Sequence, residues 1–235
     1  MIIWIASYPK SGNTWVRSII SSILYSNDGV FNFNLLKKIQ QFPNKKHLEN
    51  FTTDFHNINE IKKYWTDSQD WINLNKEIKF FKTHHINCKI GEHAFTNRKN
   101  TLGTIYVVRD PRNLVNSFTN HYNIDTAKHF ITSRQSVTGA TENMKDNKVF
   151  TILGSWNDHY RSWTKMSNNL LIIKYEDLLI NPLIEIKKII KYLNNFINFT
   201  CNEEKIKNII NSTSFEIMKK KETENGFHEG EKDNT

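Results

Sequence analysis

The first residues of the chain read as a strand, a tight turn and a helix, and this unit constrains what can follow it. Ile2-Ile3-Trp4-Ile5-Ala6 is a continuous apolar run, as expected of a strand buried on both faces. Val16, Ile19, Ile20, Ile23 and Leu24 then recur at helical spacing, with Arg17, Ser18, Ser21 and Ser22 expected on the other side of an amphipathic helix. Asn27-Asp28-Gly29 breaks the pattern. Between strand and helix lies Tyr8-Pro9-Lys10-Ser11-Gly12-Asn13-Thr14-Trp15. A lysine, small residues and hydroxyls at a strand-to-helix turn form an anion cradle, because exposed N–H groups and the positive helix end favour phosphate or sulfate. A Walker A loop would need Gly, four residues, Gly-Lys and then Ser or Thr. Here the lysine precedes the Ser-Gly pair, which weakens a nucleoside-triphosphate reading.

The unit recurs. Ile105-Tyr106-Val107-Val108 is followed by Arg109-Asp110-Pro111 and a helix expected from Asn113 to Tyr122, with Asp110 as its cap and Pro111 in its first turn. Leu170-Leu171-Ile172-Ile173 is a third buried strand, and Asn181-Pro182 opens a helix carrying Ile186, Ile189, Ile190 and Leu193. Strands alternating with helices imply an α/β fold with a mainly parallel central sheet flanked by helices, three layers in one domain. Ligands on such sheets bind at the carboxyl ends of the strands, and the polar clusters at Lys10, Arg109 and Tyr175 all follow strands directly. The stretch from Asn32 to Asn75 reads as helices and loops over the sheet, and Thr132 to Lys148 as a mobile loop. The domain is expected to span 1–218, with 219–235 a charged, disordered or truncated tail.

A chain of 235 residues suits one domain, and its net charge of +8 suits an anionic ligand. Charge alone fits nucleic acid or a membrane surface equally well. Cys88 and Cys201 are far apart and lack metal-like spacing, so a disulfide framework is not expected and a reducing compartment is. No apolar run is long enough to span a bilayer, and Met1 to Ala6 lack the features of a secretion signal. A cytoplasmic protein with no membrane partner is expected.

Two further clusters carry chemistry. In Phe80-Phe81-Lys82-Thr83-His84-His85, alternation at a strand end places Lys82 and His84 on one face and His85 on the other. A cation beside an imidazole suits a base next to an anionic transferred group. A lone histidine is more often structural, but the neighbouring lysine and the other anion clusters favour a role for His84. In the third cluster, Arg109 at a strand end and Ser117 in the second turn of the next helix can converge on one phosphate. An arginine paired with a local carboxylate is the plain alternative.

Together these residues resemble the cytosolic-type sulfotransferase family, which uses 3′-phosphoadenosine 5′-phosphosulfate (PAPS) as donor and releases adenosine 3′,5′-bisphosphate (PAP). Tyr8 through Trp15 is similar to the family's 5′-phosphosulfate loop, Lys82-Thr83-His84 to its Lys-Thr-His strand end, and Arg109 through Ser117 to its 3′-phosphate motif. Tyr175-Glu176-Asp177-Leu178 with Asn181-Pro182, and Thr213-Ser214-Phe215 with Met218, match as well, so the resemblance runs from residue 2 to about 218. It implies a P-loop nucleotide-hydrolase-like fold and a metal-independent transfer of a sulfuryl group to a hydroxyl or amine of a small-molecule acceptor. It also implies roles. Lys10 would bind the phosphosulfate, and Ser11, Gly12, Asn13 and Thr14 the 5′-phosphate. Trp15, Thr213 and Phe215 would lie at the adenine, Arg109 and Ser117 at the 3′-phosphate, and Tyr175 along the nucleotide pocket. His84 would be the base and Lys82 would steady the sulfuryl group. Two departures stand out: Asn13 occupies a position where the family usually has Thr, and no Arg-Lys-Gly loop follows Thr213-Ser214-Phe215 before Thr235. Either the sequence is a fragment or it lacks that grip on the 3′-phosphate.

Two other classes compete. A P-loop-type kinase would place Lys10 on ATP and Asp110 on Mg²⁺, against which stand the position of the lysine and the Lys82–His84 pair. A nucleic-acid-binding module would gather its basic residues into a stripe with interleaved aromatics, whereas Lys and Arg are spread along this chain. The sequence does not name the acceptor or the oligomeric state.

Overall fold

A computed structural model of the chain describes residues 1–119, 124–138, 149–166 and 169–225. In chain order the elements begin with β1 (Ile2–Ser7), α1 (Asn13–Tyr25), a 3₁₀ turn (Phe33–Lys38), β2 (Gln40–Gln41), α2 (Lys45–Leu48), α3 (Ile58–Ile61) and α4 (Trp65–Ile72). There follow β3 (Lys79–Thr83), β4 (Lys89–Ile90), β5 (His93–Ala94), β6 (Thr101–Val108), α5 (Pro111–Thr119), α6 (Ile124–Thr132), β7 (Val137–Thr138), β8 (Thr151–Ile152) and α7 (Trp156–Thr164). The last are β9 (Leu170–Lys174), α8 (Tyr175–Ile180), α9 (Pro182–Leu193), α10 (Glu203–Ser212) and α11 (Phe215–Asn225).

Five strands form one sheet in the order β2-β3-β1-β6-β9, every neighbouring pair parallel. β1 is the middle strand, which is why all six of its residues are buried. Its side chains alternate between the two faces. Ile2, Trp4 and Ala6 enter a core with Phe42, Phe81, Phe95, Tyr106 and Trp163. Trp4 is the hub, its ring centroid 5.5 to 6.2 Å from those of Phe42, Phe81, Phe95 and Trp163, and its Nε1 donates to Thr101 Oγ1 at 2.9 Å.

The chain divides into two compact units, Met1–Asn13 with Ile39–Ile180, and Thr14–Lys38 with the residues from Asn181 onward. The first contains the sheet. The second contains α1 from Thr14, the 3₁₀ turn, α9, α10 and α11. Within it Gly29 has φ +84°, and a Cβ there would fall 2.5 Å from the Lys205 carbonyl oxygen. Close packing there is reinforced by Lys205 Nζ donating to Ile23 O at 2.9 Å and by Ser212 Oγ accepting from Phe31 N at 2.9 Å.

Several expectations change in detail. The polar side of α1 does not face solvent: Arg17, Ser18, Ser21 and Ser22 are as buried as Val16 and Ile20. Serine fits such a helix because it is small and can return its hydroxyl to its own backbone, as Ser18 does to Thr14 O and Ser21 to Ser18 O. α5 begins at Pro111 and is described to Thr119, and the remaining residues expected in it lie outside the described residues. In the Thr132–Lys148 stretch, β7 pairs antiparallel with β8, and 139–148 lie outside the described residues. Lys219 to Asn225, expected in the disordered tail, continue α11, and 226–235 lie outside. Both cysteines are free. Among the described residues, no helix is long and apolar enough to cross a membrane.

Two histidines are built into the interior of the first unit. His85 is fully buried, stacked on Phe95 with centroids 4.2 Å apart, and burial lowers its pKa from 6.5 to about 3. His159, also fully buried, is lowered by burial to about 4. Each is neutral when folded and takes up a proton near 6.5 when unfolded, so the unfolded chain binds more protons on acidification. Stability is therefore full above pH 6.5 and falls as pH drops below it, by about 1.4 kcal/mol per pH unit per histidine until the folded values are reached. Thermal unfolding across a pH series is expected to show a melting temperature level above pH 7 and falling between 6.5 and 5. A flat profile in that window would contradict the burial of these imidazoles.

Candidate active site

The turn between β1 and α1 is shaped by two left-handed residues, Lys10 at φ +65° and Gly12 at φ +95°. Ser11 between them closes back, its N–H donating to Tyr8 O at 3.3 Å. Glycine is required at position 12 on a second count, since a Cβ there would fall 2.6 Å from Tyr175 Cδ2. Ser11 is fully buried, and its Oγ has no hydrogen-bond partner among the described residues. A buried hydroxyl without a partner is costly unless something outside the chain satisfies it, and an anionic oxygen suits it. Asn13 begins α1, and its Nδ2 donates to Ile5 O at 3.0 Å and to Ser7 Oγ at 3.1 Å.

Arg109 follows β6, the parallel neighbour of β1, and so reaches the same end of the sheet. Its Nη1 donates to Lys10 O at 3.2 Å, and its guanidinium lies over the Tyr175 ring, 4.2 Å from the centroid. The ring that closes against Gly12 thus also carries Arg109. Asp110 caps α5 as expected: its Oδ1 accepts from Arg112 N at 2.8 Å. The same carboxylate pairs with the Arg112 guanidinium at 2.5 Å, and these bonds lower its pKa to about 2. Ser117 is half-buried on α5.

β3 pairs with the other side of β1, opposing Lys82 to Ile5, and it ends at Thr83. Lys82 is buried. His84, the next residue, is half-buried, with Nδ1 2.8 Å from Ser7 O and 3.2 Å from Ser7 Oγ. A carbonyl oxygen only accepts, so Nδ1 carries the proton and Nε2 keeps a lone pair. The main chain of His84 is held as well: His159 Nε2 donates to His84 O at 3.1 Å, and Tyr106 Oη donates to His159 Nδ1 at 2.8 Å. Sequence reading missed His159. Its place among Trp156, Tyr160 and Trp163, at helical spacing on α7, is the signal that marks it as a core position. His85 is separated from this chemistry by burial and by its stack on Phe95.

The first unit therefore holds Lys10, Ser11, Gly12, Asn13, Lys82, His84, Arg109, Ser117 and Tyr175, and the hydrogen bonds and ring contact above link the Lys10 turn to His84 and Arg109. Thr14, Trp15, Thr213 and Phe215 belong to the second unit. There Trp15 is half-buried, Thr213 is buried with its hydroxyl donating to Ile209 O at 2.7 Å, and Phe215 is 53% exposed.

Comparison with known proteins gives a consistent result. The family model described as Sulfotransferase domain matches residues 2–234. Dog Sulfotransferase 1B1 is 26% identical over 223 residues, covering 92% of this chain and 65% of the relative. The guinea-pig 3-alpha-hydroxysteroid sulfotransferase is 25% identical over 234 residues, covering 93% and 66%. The chain thus spans about two thirds of the length of these curated relatives. The fold is that of mouse sulfotransferase SULT7A1 complexed with PAP, with a TM-score of 0.57 at 21% identity over 93% of this chain and 65% of that one. Retinol dehydratase in complex with androsterone and inactive cofactor PAP gives 0.57 at 17% identity, over 94% and 66%.

Proposed function

The chain belongs to the sulfotransferase family, and on that premise we propose that it transfers a sulfuryl group from PAPS to the hydroxyl or amine of a small-molecule acceptor. The observation that carries this reading is the pairing of His84 Nδ1 with Ser7 at the end of β1, where the anion turn begins. It leaves a basic Nε2 close in the chain's architecture to a cradle built for an anion.

When bound, PAPS supplies a sulfur–oxygen bond whose cleavage leaves negative charge on a phosphate oxygen. Lys10 and the N–H groups of the turn stabilise that charge as fixed donors. The Ser11 hydroxyl, without a hydrogen-bond partner among the described residues, supports a phosphate at the turn. Lys82 steadies the sulfuryl group, and His84 Nε2 takes the acceptor's proton. Arg109, with Ser117, holds the 3′-phosphate. For Trp15, Thr213 and Phe215, contact with the adenine rests on the family resemblance alone. Against the kinase alternative, the Asp110 carboxylate is already paired with Arg112 and with the N-terminus of α5.

Calorimetric titration of PAP into the protein, with a chelator present, tests the donor assignment. One-to-one binding without metal is expected. Arg109→Ala should weaken it about 10–100-fold, the worth of a charge-assisted phosphate contact. A requirement for ATP and Mg²⁺ in place of PAP would sink the reading.

A further inference from the structure

We infer that Asn13 is a positioning residue for His84, and that its side chain, through Ser7, ties the shape of the anion turn to the orientation of the imidazole. The inference rests on the sulfotransferase reading for what the base does, but the connection itself is geometric. The amide of Asn13 is oriented without ambiguity, because Ile5 O can only accept and lies 3.0 Å from Nδ2. The second N–H of the same amide is used by Ser7 Oγ at 3.1 Å. Both donors are thereby spent on β1. What remains is Oδ1, a buried acceptor without a partner among the described residues, and an acceptor is repelled by a phosphate oxygen. The side chain of Asn13 thus has nothing to offer an anion, and its contribution to the cradle is its backbone N–H.

Its two bonds instead brace the last turn of β1 at the residue that orients the base. Ser7 presents its carbonyl to His84 Nδ1 at 2.8 Å and its Oγ at 3.2 Å, and that Oγ is the atom held by Asn13. A residue in the turn therefore decides how firmly Nδ1 keeps its proton and Nε2 its lone pair. The threonine usual here in the family is shorter and carries a single donor, so it cannot make both bonds of this amide.

The test uses Asn13→Ala and Ser7→Ala in the full chain, with thermal unfolding as the check of folding. The primary readout is the long-range ¹H–¹⁵N spectrum of histidine-labelled protein, the His84 resonances being assigned by their loss in His84→Ala. Wild type is expected to show one tautomer, protonated at Nδ1, and Asn13→Ala a mixture of the two. The kinetic expectation is a split: kcat down about tenfold, with acceptor KM and PAP affinity within about twofold. Ser7→Ala, which removes the atom through which Asn13 acts and leaves the carbonyl in place, should move both readouts the same way by about as much. A folded Asn13→Ala with wild-type His84 resonances and kcat overturns the inference, as does one whose PAP affinity falls more than its kcat. Should Asn13→Ala fail to fold, wild-type resonances and kcat in Ser7→Ala overturn it equally. Failure of wild type to bind PAP would instead sink the donor reading, and the spectra distinguish the two outcomes.

Discussion

Replacing His84 with alanine is expected to lower kcat by about 10²–10⁴-fold, the contribution of a well-placed general base, while PAP affinity changes by less than about twofold. The split follows from geometry. His84 is held by Ser7 through Nδ1 and by His159 through its own carbonyl, and removing its imidazole leaves the Asn13–Ser7 bond and the N–H groups of the turn in place. The neighbouring imidazole offers no substitute. His85 is fully buried and stacked on Phe95, and its Nδ1 is paired with Ile86 O at 2.6 Å. Steady-state transfer assays beside PAP calorimetry decide the matter. A His84→Ala enzyme with near-normal kcat would remove His84 from the chemistry, and one that no longer binds PAP would make it a ligand of the nucleotide.

Gly12→Ala is expected to be the most damaging conservative change in the turn. At φ +95° any Cβ is strained by about 1–2 kcal/mol. The new methyl would also lie 2.6 Å from Tyr175 Cδ2, which forces the ring away. Arg109 lies 4.2 Å over that ring, so its guanidinium shifts too. The outcome should be a lower melting temperature together with at least about tenfold weaker PAP binding, as a displaced charge-assisted contact implies. Adding Tyr175→Ala separates the causes: the collision disappears and the backbone strain stays, so stability should recover in part while PAP affinity does not. Full recovery of both would show that the ring's position is immaterial to Arg109.

Much of this was legible in the sequence. Continuous apolar runs at 2–6, 105–108 and 170–173 became β1, β6 and β9, and the polar residues after them converge because parallel strands end on one side. The cap at Asp110 and the start of α9 after Asn181 also read correctly, since caps depend on local chemistry. Burial read less well. Arg17 and the serines of α1 looked solvent-facing by residue type, yet tertiary packing covers them, and a 3.6-residue pattern cannot express a helix enclosed all round. β2, only two residues long, carries no periodicity to detect. His159 and the donors of Asn13 were invisible because their roles depend on partners far along the chain or across a strand end.

The position of β1 has a consequence for how the protein is made. β1, synthesised before both of its neighbours, is the middle of the sheet, and those neighbours begin at Lys79 and Thr101. At about 5–20 residues per second, a ribosome needs several seconds or more to deliver both. Until then Ile2 to Ala6 is an unpaired apolar edge on a nascent chain, the kind of segment that holdase chaperones cover and that seeds association. Parallel pairing over such separations is also slow to form. Heterologous yield should therefore respond to extra holdase chaperone and lower temperature more than to changes at the surface.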